Sequence, residues 1–415
     1  MIFHSFRARV RYLQIRASKD HKRPQSFDVS MEVIIMLATC ARRCFVIATL
    51  LFANLCFATI CISVAGASGF PASFGTAGSG SLGTAISDKP YMTPDGRYIA
   101  FSTQAPNLAP GAPSYPAVCI RDLFAGTTWY HERGTYGAVD MGLNPGVAHF
   151  TYGGAGGHLG TIHMRDFYAD FDFFSVLADS DQYVYNDLGN VVYIYNEQVG
   201  SQTYSQIWKY SGSWGNPATT NFRVSNATTG GAGYGMSYGV AATPLQNLVA
   251  FVSYASNLVE NDTNNKPDLF VVPCSRMSAG TVERIPLPTE DYDTISRPSV
   301  SYDGRYIAYA LGKSGTEYGT VVSIYVYDRT LHQTVEVESG IQVQSSASPA
   351  ISQQANAIAY TRCDKGISQI YCRELKLAGN GAMSVGDAVF MSKSNVGKPG
   401  NNHSYAPVIS GEGSL

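Results

Sequence analysis

From about residue 87 onward the chain is written in apolar runs of about five residues, each fenced by Gly, Pro, Asn or Asp. "YMTPDGRYIAF" (residues 91–101) returns almost letter for letter as "SVSYDGRYIAY" (residues 299–309). Its second half recurs as "NLVAF", ending at Phe251, and "NAIAY", ending at Tyr360. More distant copies are "GVAHF", ending at Phe150, and "NVVYI", ending at Ile194. The anchors Phe101, Phe150, Ile194, Phe251, Tyr309 and Tyr360 are 49, 44, 57, 58 and 51 residues apart.

Two further registers travel with this one. Upstream, a Pro followed three places later by Ser or Thr recurs at Pro90/Thr93, Pro298/Ser301, Pro349/Ser352 and Pro407/Ser410. Downstream comes a second apolar run: "VCIRD" (118–122), "IHMRD" (162–166), "LFVVP" (269–273), "IYVYD" (324–328) and "IYCRE" (370–374). Each unit therefore predicts a short strand, a tight turn, a strand covered on both faces, a polar loop and a third strand, with a less regular fourth. Asp-Gly at 95–96 and 303–304 marks the turn, because these residues tolerate positive φ. A near-continuous apolar strand implies cover on both sides. Four strands repeated every roughly 40–60 residues describe the blades of an all-β propeller. The recurrent Ala100, Ala250, Ala308 and Ala359 mark where neighbouring blades approach closely.

Six full units fit between about residues 87 and 395, and "YAPVISGEGSL" (405–415) starts another. The favoured expectation is six closed blades, with the terminal piece lending a strand to the first. The alternative is a truncated seven-bladed ring.

Composition agrees with this pattern. Hydrophobic residues make up 45% and charged residues 14%, with 27 Tyr, 19 Phe and 41 Gly. Low charge argues against disorder, and this aromatic and Gly content suits short strands and tight turns. The N-terminus reads as a targeting segment: basic "ARRC" (41–44), then the apolar run 45–67, closing on an A-x-A-like site at Ala65 to Ala67. Met31 or Met36 is the natural start for such a peptide. The expected organisation is an N-terminal extension with a signal peptide or membrane anchor (1–67), a Gly/Ser-rich linker (68–86) and the propeller (87–415). Residues 1–67 hold nine of the 29 Lys/Arg and three of the 31 Asp/Glu, so the remainder carries 20 basic against 28 acidic residues. That sign repels phosphate backbones and excludes nucleic acid as a partner. Outside the leader the cysteines are Cys119, Cys274, Cys363 and Cys372. Export would permit disulfides, and Cys363 with Cys372, on neighbouring strands, is the better candidate pair.

The stretches "SYDGRYIAYA" and "IYVYDR" resemble the TolB-like (WD-like) family of bacterial β-propeller repeats, and "ASNLVENDTNNKPDLFV" (255–271) is similar to a recurrent form in its exported members. The resemblance covers nearly everything after residue 86. It implies a propeller fold but no single function; with the leader, the expected location is the periplasm or the extracellular space. The family's namesake carries an α/β domain ahead of its propeller, for which the residues preceding β-repeat one leave no room. The hydrolase domain of prolyl-oligopeptidase-type propellers has no room here either.

Candidate chemistry is sparse. "GMSYG" (235–239) matches the G-x-S-x-G nucleophile elbow around Ser237, yet Pro244 and a blade strand follow where a helix is needed. "GSGSLG" (78–83) matches a dinucleotide fingerprint by letters but lacks the flanking strand and helix. His149, His158 and His163, with His131 nearby, could offer imidazoles to a divalent metal, and His149 could face His163 across a hairpin. Surface histidines are the simpler reading. Asp262, Asn264 and Asp268 in "NDTNNKPD" faintly resemble a calcium loop, without the Gly and terminal Glu of an EF-hand; a polar hairpin tip is the simpler reading. The acidic-aromatic stretch 164–187 suits sugar binding or a carboxylate pair, but blade packing asks for the same aromatics. No catalytic, metal or cofactor residue is therefore assigned. The expected function is an exported, non-enzymatic scaffold that binds a protein or other macromolecule at the cell envelope, with possible membrane attachment through residues 45–67. The alternatives are a carbohydrate-binding or carbohydrate-active (lyase- or glycosidase-like) propeller with a glycan partner, and a truncated propeller without independent function.

Overall fold

A computed structural model describes residues 87–108, 117–133, 139–141, 146–152, 159–166, 172–180, 182–186, 190–213, 216–316, 319–344, 346–364, 366–379, 381–393, 399 and 403–413. Their strands form antiparallel sheets in chain order. The first is β1 (Ser87–Met92), β2 (Tyr98–Thr103), β3 (Ala117–Asp122) and β4 (Thr127–Arg133). The second is β5 (Val139–Met141), β6 (Gly146–Tyr152), β7 (Gly160–Asp166) and β8 (Asp172–Ala178). The third is β9 (Tyr183–Tyr185), β10 (Asn190–Val199), β11 (Gln202–Ser213) and β12 (Asn216–Arg223). The fourth is β13 (Ser237–Ala242), β14 (Leu248–Ser253), β15 (Asp268–Pro273) and β16 (Glu283–Arg284). In the fifth, β17 (Thr294–Ile295) and β18 (Ser299–Val300) both pair with β19 (Tyr306–Thr316), followed by β20 (Gly319–Asp328) and β21 (Gln333–Val343). In the sixth, β22 (Ala350–Ile351) and β23 (Ala357–Asp364) precede β24 (Ile367–Leu377), which pairs with both β25 (Met383–Val385) and β26 (Val389–Phe390).

The leading strands of successive sheets neighbour one another: β1 with β5, β5 with β9, β9 with β13, β13 with β18, and β18 with β22. The cores lie between the sheets, not inside them. Phe251 and Phe270 stack at 5.7 Å and pack with Val192, Ile194 and Ile207 of the third sheet. On the other face of the same strands, Ala250 and Val271 pack with Ile307 and Tyr309 of the fifth. Every residue of β14 is buried, which is why its sequence runs apolar without alternation. Ala250 and Ala308 each lie in the core that joins their own sheet to the next, so the small residue sits at the close approach expected of it. This is a β-propeller of four-stranded blades.

The turn between the first two strands of a blade is one motif written in different residues. In Thr93–Gly96, Thr243–Gln246, Ser301–Gly304 and Ser352–Ala355, the fourth amide donates to the first carbonyl at 2.7–3.0 Å. The fourth residue is left-handed each time: φ is 70° at Gly96, 51° at Gln246, 73° at Gly304 and 53° at Ala355. The leading hydroxyl accepts from the amide of Tyr98, Leu248, Tyr306 or Ala357 and donates to Asp95, Asn247, Asp303 or Asn356.

Residues 410–413 form the same turn: Gly413 donates to the Ser410 carbonyl at 3.0 Å, with φ 68° at Gly413. The terminal piece does not add a strand to the first sheet as the sequence led us to expect. Among the described strands β1 pairs only with β2. Its own backbone satisfies Gln354 and Pro94 instead: the Gln354 amide donates to the Gly411 carbonyl at 3.0 Å, and the Gly411 amide donates to the Pro94 carbonyl at 2.8 Å. The Tyr302 amide donates to the Gln353 carbonyl at 2.9 Å in the same manner.

The proposed Cys363–Cys372 pair is corrected by register. Cys363 lies opposite Ser368, and Cys372 lies opposite Ala359, so the two are offset along the hairpin. A disulfide needs Cα atoms within about 7 Å. Among the described residues none of Cys119, Cys274, Cys363 and Cys372 is in a disulfide. Among the described residues no helix is long and apolar enough to cross a membrane. Residues 45–67 and 78–83 lie outside them.

Candidate binding site at the blade turns

The linked turns of the first, fifth and sixth sheets and of residues 410–413 enclose a recess of about 560 Å³. Asp95, Asp303 and Glu412 line it, all exposed, together with Tyr302, Tyr306 and Leu377. The Arg305 guanidinium also faces it but is committed. It grips Asp328 through Nε at 2.9 Å and Nη2 at 2.7 Å, and lies over the Tyr306 ring at 4.8 Å. Arg97 holds Asp122 through Nε at 3.2 Å and Nη2 at 2.9 Å and covers Tyr98 at 4.7 Å, so the fork repeats in the first sheet. Burial alone would raise both aspartates. The hydrogen bonds from Arg97 or Arg305, and from the amides after each aspartate, outweigh it and hold both carboxyls below the ordinary range.

A second cavity, of about 420 Å³, lies among the leading strands of several sheets. Pro90, Tyr183, Ala241, Pro298, Pro349 and Pro407 contribute to its wall, so the proline register seen in the sequence lines it. A leading strand has one edge without a neighbour, and proline is tolerated there because no ladder donor is lost. Arg297 ties three blades at this wall, donating to the carbonyls of Val240 at 2.8 Å and Tyr183 at 3.2 Å.

The residues singled out in the sequence are dispersed. Ser237 opens β13 fully buried and donates to the Ser253 hydroxyl at 2.9 Å; its strand is followed by another strand, so it has no nucleophile elbow. His149 and His163 are register partners across β6 and β7, while His158 lies outside the described residues. Asp262, Asn264 and Asp268 do converge, with both carboxylates buried. Arg284 Nη1 stands 3.6 Å from Asp262 and 3.5 Å from Asp268, supplying the positive charge itself. Burial, and then the Asp262 charge, raises the Asp268 carboxyl. Within 164–187, Tyr183 and Tyr185 are buried against Ile162, Val191 and Tyr193, as blade packing requires. Among the described residues no group of three or more His, Cys, Asp and Glu is placed to hold a metal. The turn recess escaped sequence reasoning, because its walls come from segments some 300 residues apart; the recurring "DG" turns were the available signal.

The chain matches no protein family and no curated protein. It does resemble solved structures. TolB from Acinetobacter baumannii is 15% identical, with a TM-score of 0.37 over 74% of this chain and 57% of that one. Oligogalacturonate lyase from Vibrio parahaemolyticus is 10% identical, with a TM-score of 0.46 over 74% and 80%. An acylaminoacyl peptidase is 10% identical, with a TM-score of 0.47 over 75% and 45%. The likeness is one of fold.

Proposed function

We propose that the protein is an exported, non-enzymatic propeller scaffold that binds another protein at the cell envelope. Each sheet is one blade, six in all, and residues 405–413 take a seventh inner position between the last blade and the first. The observation that carries the reading is the turn recess. Its walls are loops, yet the Tyr302, Gln354 and Gly411 amides fix those loops to their neighbours through backbone hydrogen bonds. A loop surface held this way loses little conformational entropy on binding. Exposed Tyr302 on its wall adds the kind of side chain that dominates protein contacts. The apolar run 45–67 supports export and a possible attachment to the membrane.

In-cell photo-crosslinking tests this. A photoreactive residue at Tyr302 of the full chain should give a discrete protein adduct, and one at Met277 should not. Absence of any adduct from several turn positions, or release of reducing sugar from an acidic polysaccharide by the purified protein, would reject it. Fractionation of the same cells should find the chain outside the cytoplasm.

A further inference from the structure

We infer that the recess at the blade turns is a receptor for a basic side chain, specifically a lysine presented by a protein partner. The inference rests on the scaffold reading above and names what that scaffold recognises. Three carboxylates, Asp95, Asp303 and Glu412, line one cavity. In each aspartate a single oxygen serves the turn. Asp95 Oδ1 accepts from Thr93 Oγ1 at 2.5 Å and from the Arg97 amide at 3.0 Å; Asp303 Oδ1 accepts from Ser301 Oγ at 2.7 Å and from the Arg305 amide at 3.0 Å. The second oxygen of each has no such duty. Arg305, the cation on the recess wall, is forked to Asp328 and is shared between that carboxylate and the charge of Asp303. The recess therefore keeps an excess of negative charge.

A separate observation points to a ligand. Tyr306 lines the cavity, is only 3% exposed, and its hydroxyl has no hydrogen-bond partner. A buried hydroxyl without a partner keeps an unmet hydrogen-bonding capacity, so a donor arriving there is favoured. An ammonium supplies three donors and the missing charge. The other walls fit the rest of a lysine. Leu377 is an apolar surface for the four-carbon stem, and the half-exposed Tyr302 ring offers a face to the cation. Exposed ion pairs contribute little singly, so selectivity depends on several carboxylates converging in one recess.

The test is a titration of the full-length protein with a labelled Gly-Ser-Lys-Ser-Gly peptide and its norleucine counterpart, followed by fluorescence anisotropy. The lysine peptide should bind about tenfold more tightly than the norleucine peptide, and added salt should weaken it. The D95N/D303N/E412Q variant should lose about tenfold in affinity. Asparagine keeps the Oδ1 acceptor, so the turns, the circular dichroism and the melting temperature should be unchanged. Tyr306→Phe should weaken binding with the carboxylates intact. Equal binding of the two peptides, no detectable binding at about 1 mM peptide, or an unaffected triple variant overturns the proposal. Displacement by free cadaverine at the peptide's own affinity overturns the protein source. A crosslinked partner retained by the triple variant ends this inference and leaves the scaffold reading standing. Absence of every crosslink in the parent protein ends the scaffold reading, while the peptide titration still decides the pocket.

Discussion

Gly411 donates its amide to the carbonyl of Pro94 at 2.8 Å, joining the two ends of the repeat array. The contact leaves no room for a side chain. A Cβ on Gly411 would stand 2.8 Å from that carbonyl oxygen and 3.0 Å from Gln353 Oε1. Gly411→Val should therefore destabilise the protein by about 1–3 kcal/mol in urea unfolding. Gly379→Ala, where nothing lies within 4 Å, should fall within about 0.5 kcal/mol of the parent.

The two Arg–Asp forks should behave alike. Asp122→Ala and Asp328→Ala each strand a guanidinium and uncap two amides, at Phe124 and Ala125 or at Thr330 and Leu331. Each should cost about 2–4 kcal/mol in unfolding free energy. Both carboxyls are held below their usual range in the folded state. Their contribution is present above the unfolded carboxylate value and is lost as pH falls through the folded one. A melting series on the acid side should be shallower in either variant than in the parent.

Alkali should unfold the protein through its tyrosines. Burial pushes the Tyr193 phenol up to about 12, with Asn221 pulling back slightly; burial and the bond to Asp364 push Tyr371 to about 12. Tyr238, Tyr309 and Tyr360 rise further, burial first. The unfolded chain ionises near pH 10 and the folded one does not, so stability is full below about 10 and falls as pH climbs toward 12. Ultraviolet titration should show one group of phenols ionising near 10 and the rest only with loss of structure. A single reversible phase at 10 would contradict this.

Thiol reactivity should follow burial. Half-buried Cys363 should be the first of the four propeller cysteines alkylated in the native state. Burial pushes the Cys119 thiol up to about 12 and Cys274 to about 11, so both should stay silent until unfolding. Peptide mapping without reductant should find no Cys363–Cys372 cross-link.

The sequence made the repeat legible because both faces of each middle strand are covered. "LVAF" and "YIAY" had to be apolar throughout, with alanine where the sheets close up. The Asp-Gly turns were visible for the same kind of reason, since Gly96 and Gly304 adopt positive φ. The equivalent turns ending at Gln246 and Ala355 were not, because their left-handed residues have ordinary side chains held there by the surrounding hydrogen bonds. Strand adjacency suggested Cys363 and Cys372, but only register tells whether two neighbours meet. The grouping of Asp95, Asp303 and Glu412 depends on contacts between distant turns and leaves no local trace.

The second place in the turns is held by Pro94, Pro244, Tyr302, Gln353 and Gly411, four kinds of residue on one backbone shape. The hoop that closes the array is fastened by main-chain atoms, so the exposed Tyr302 and the partly exposed Gln353 can be rewritten with little penalty to the frame, whereas Gly411, with no space for a side chain, cannot. Swapping those two, a residue at a time, offers a route to new partners without redesigning the molecule that carries them.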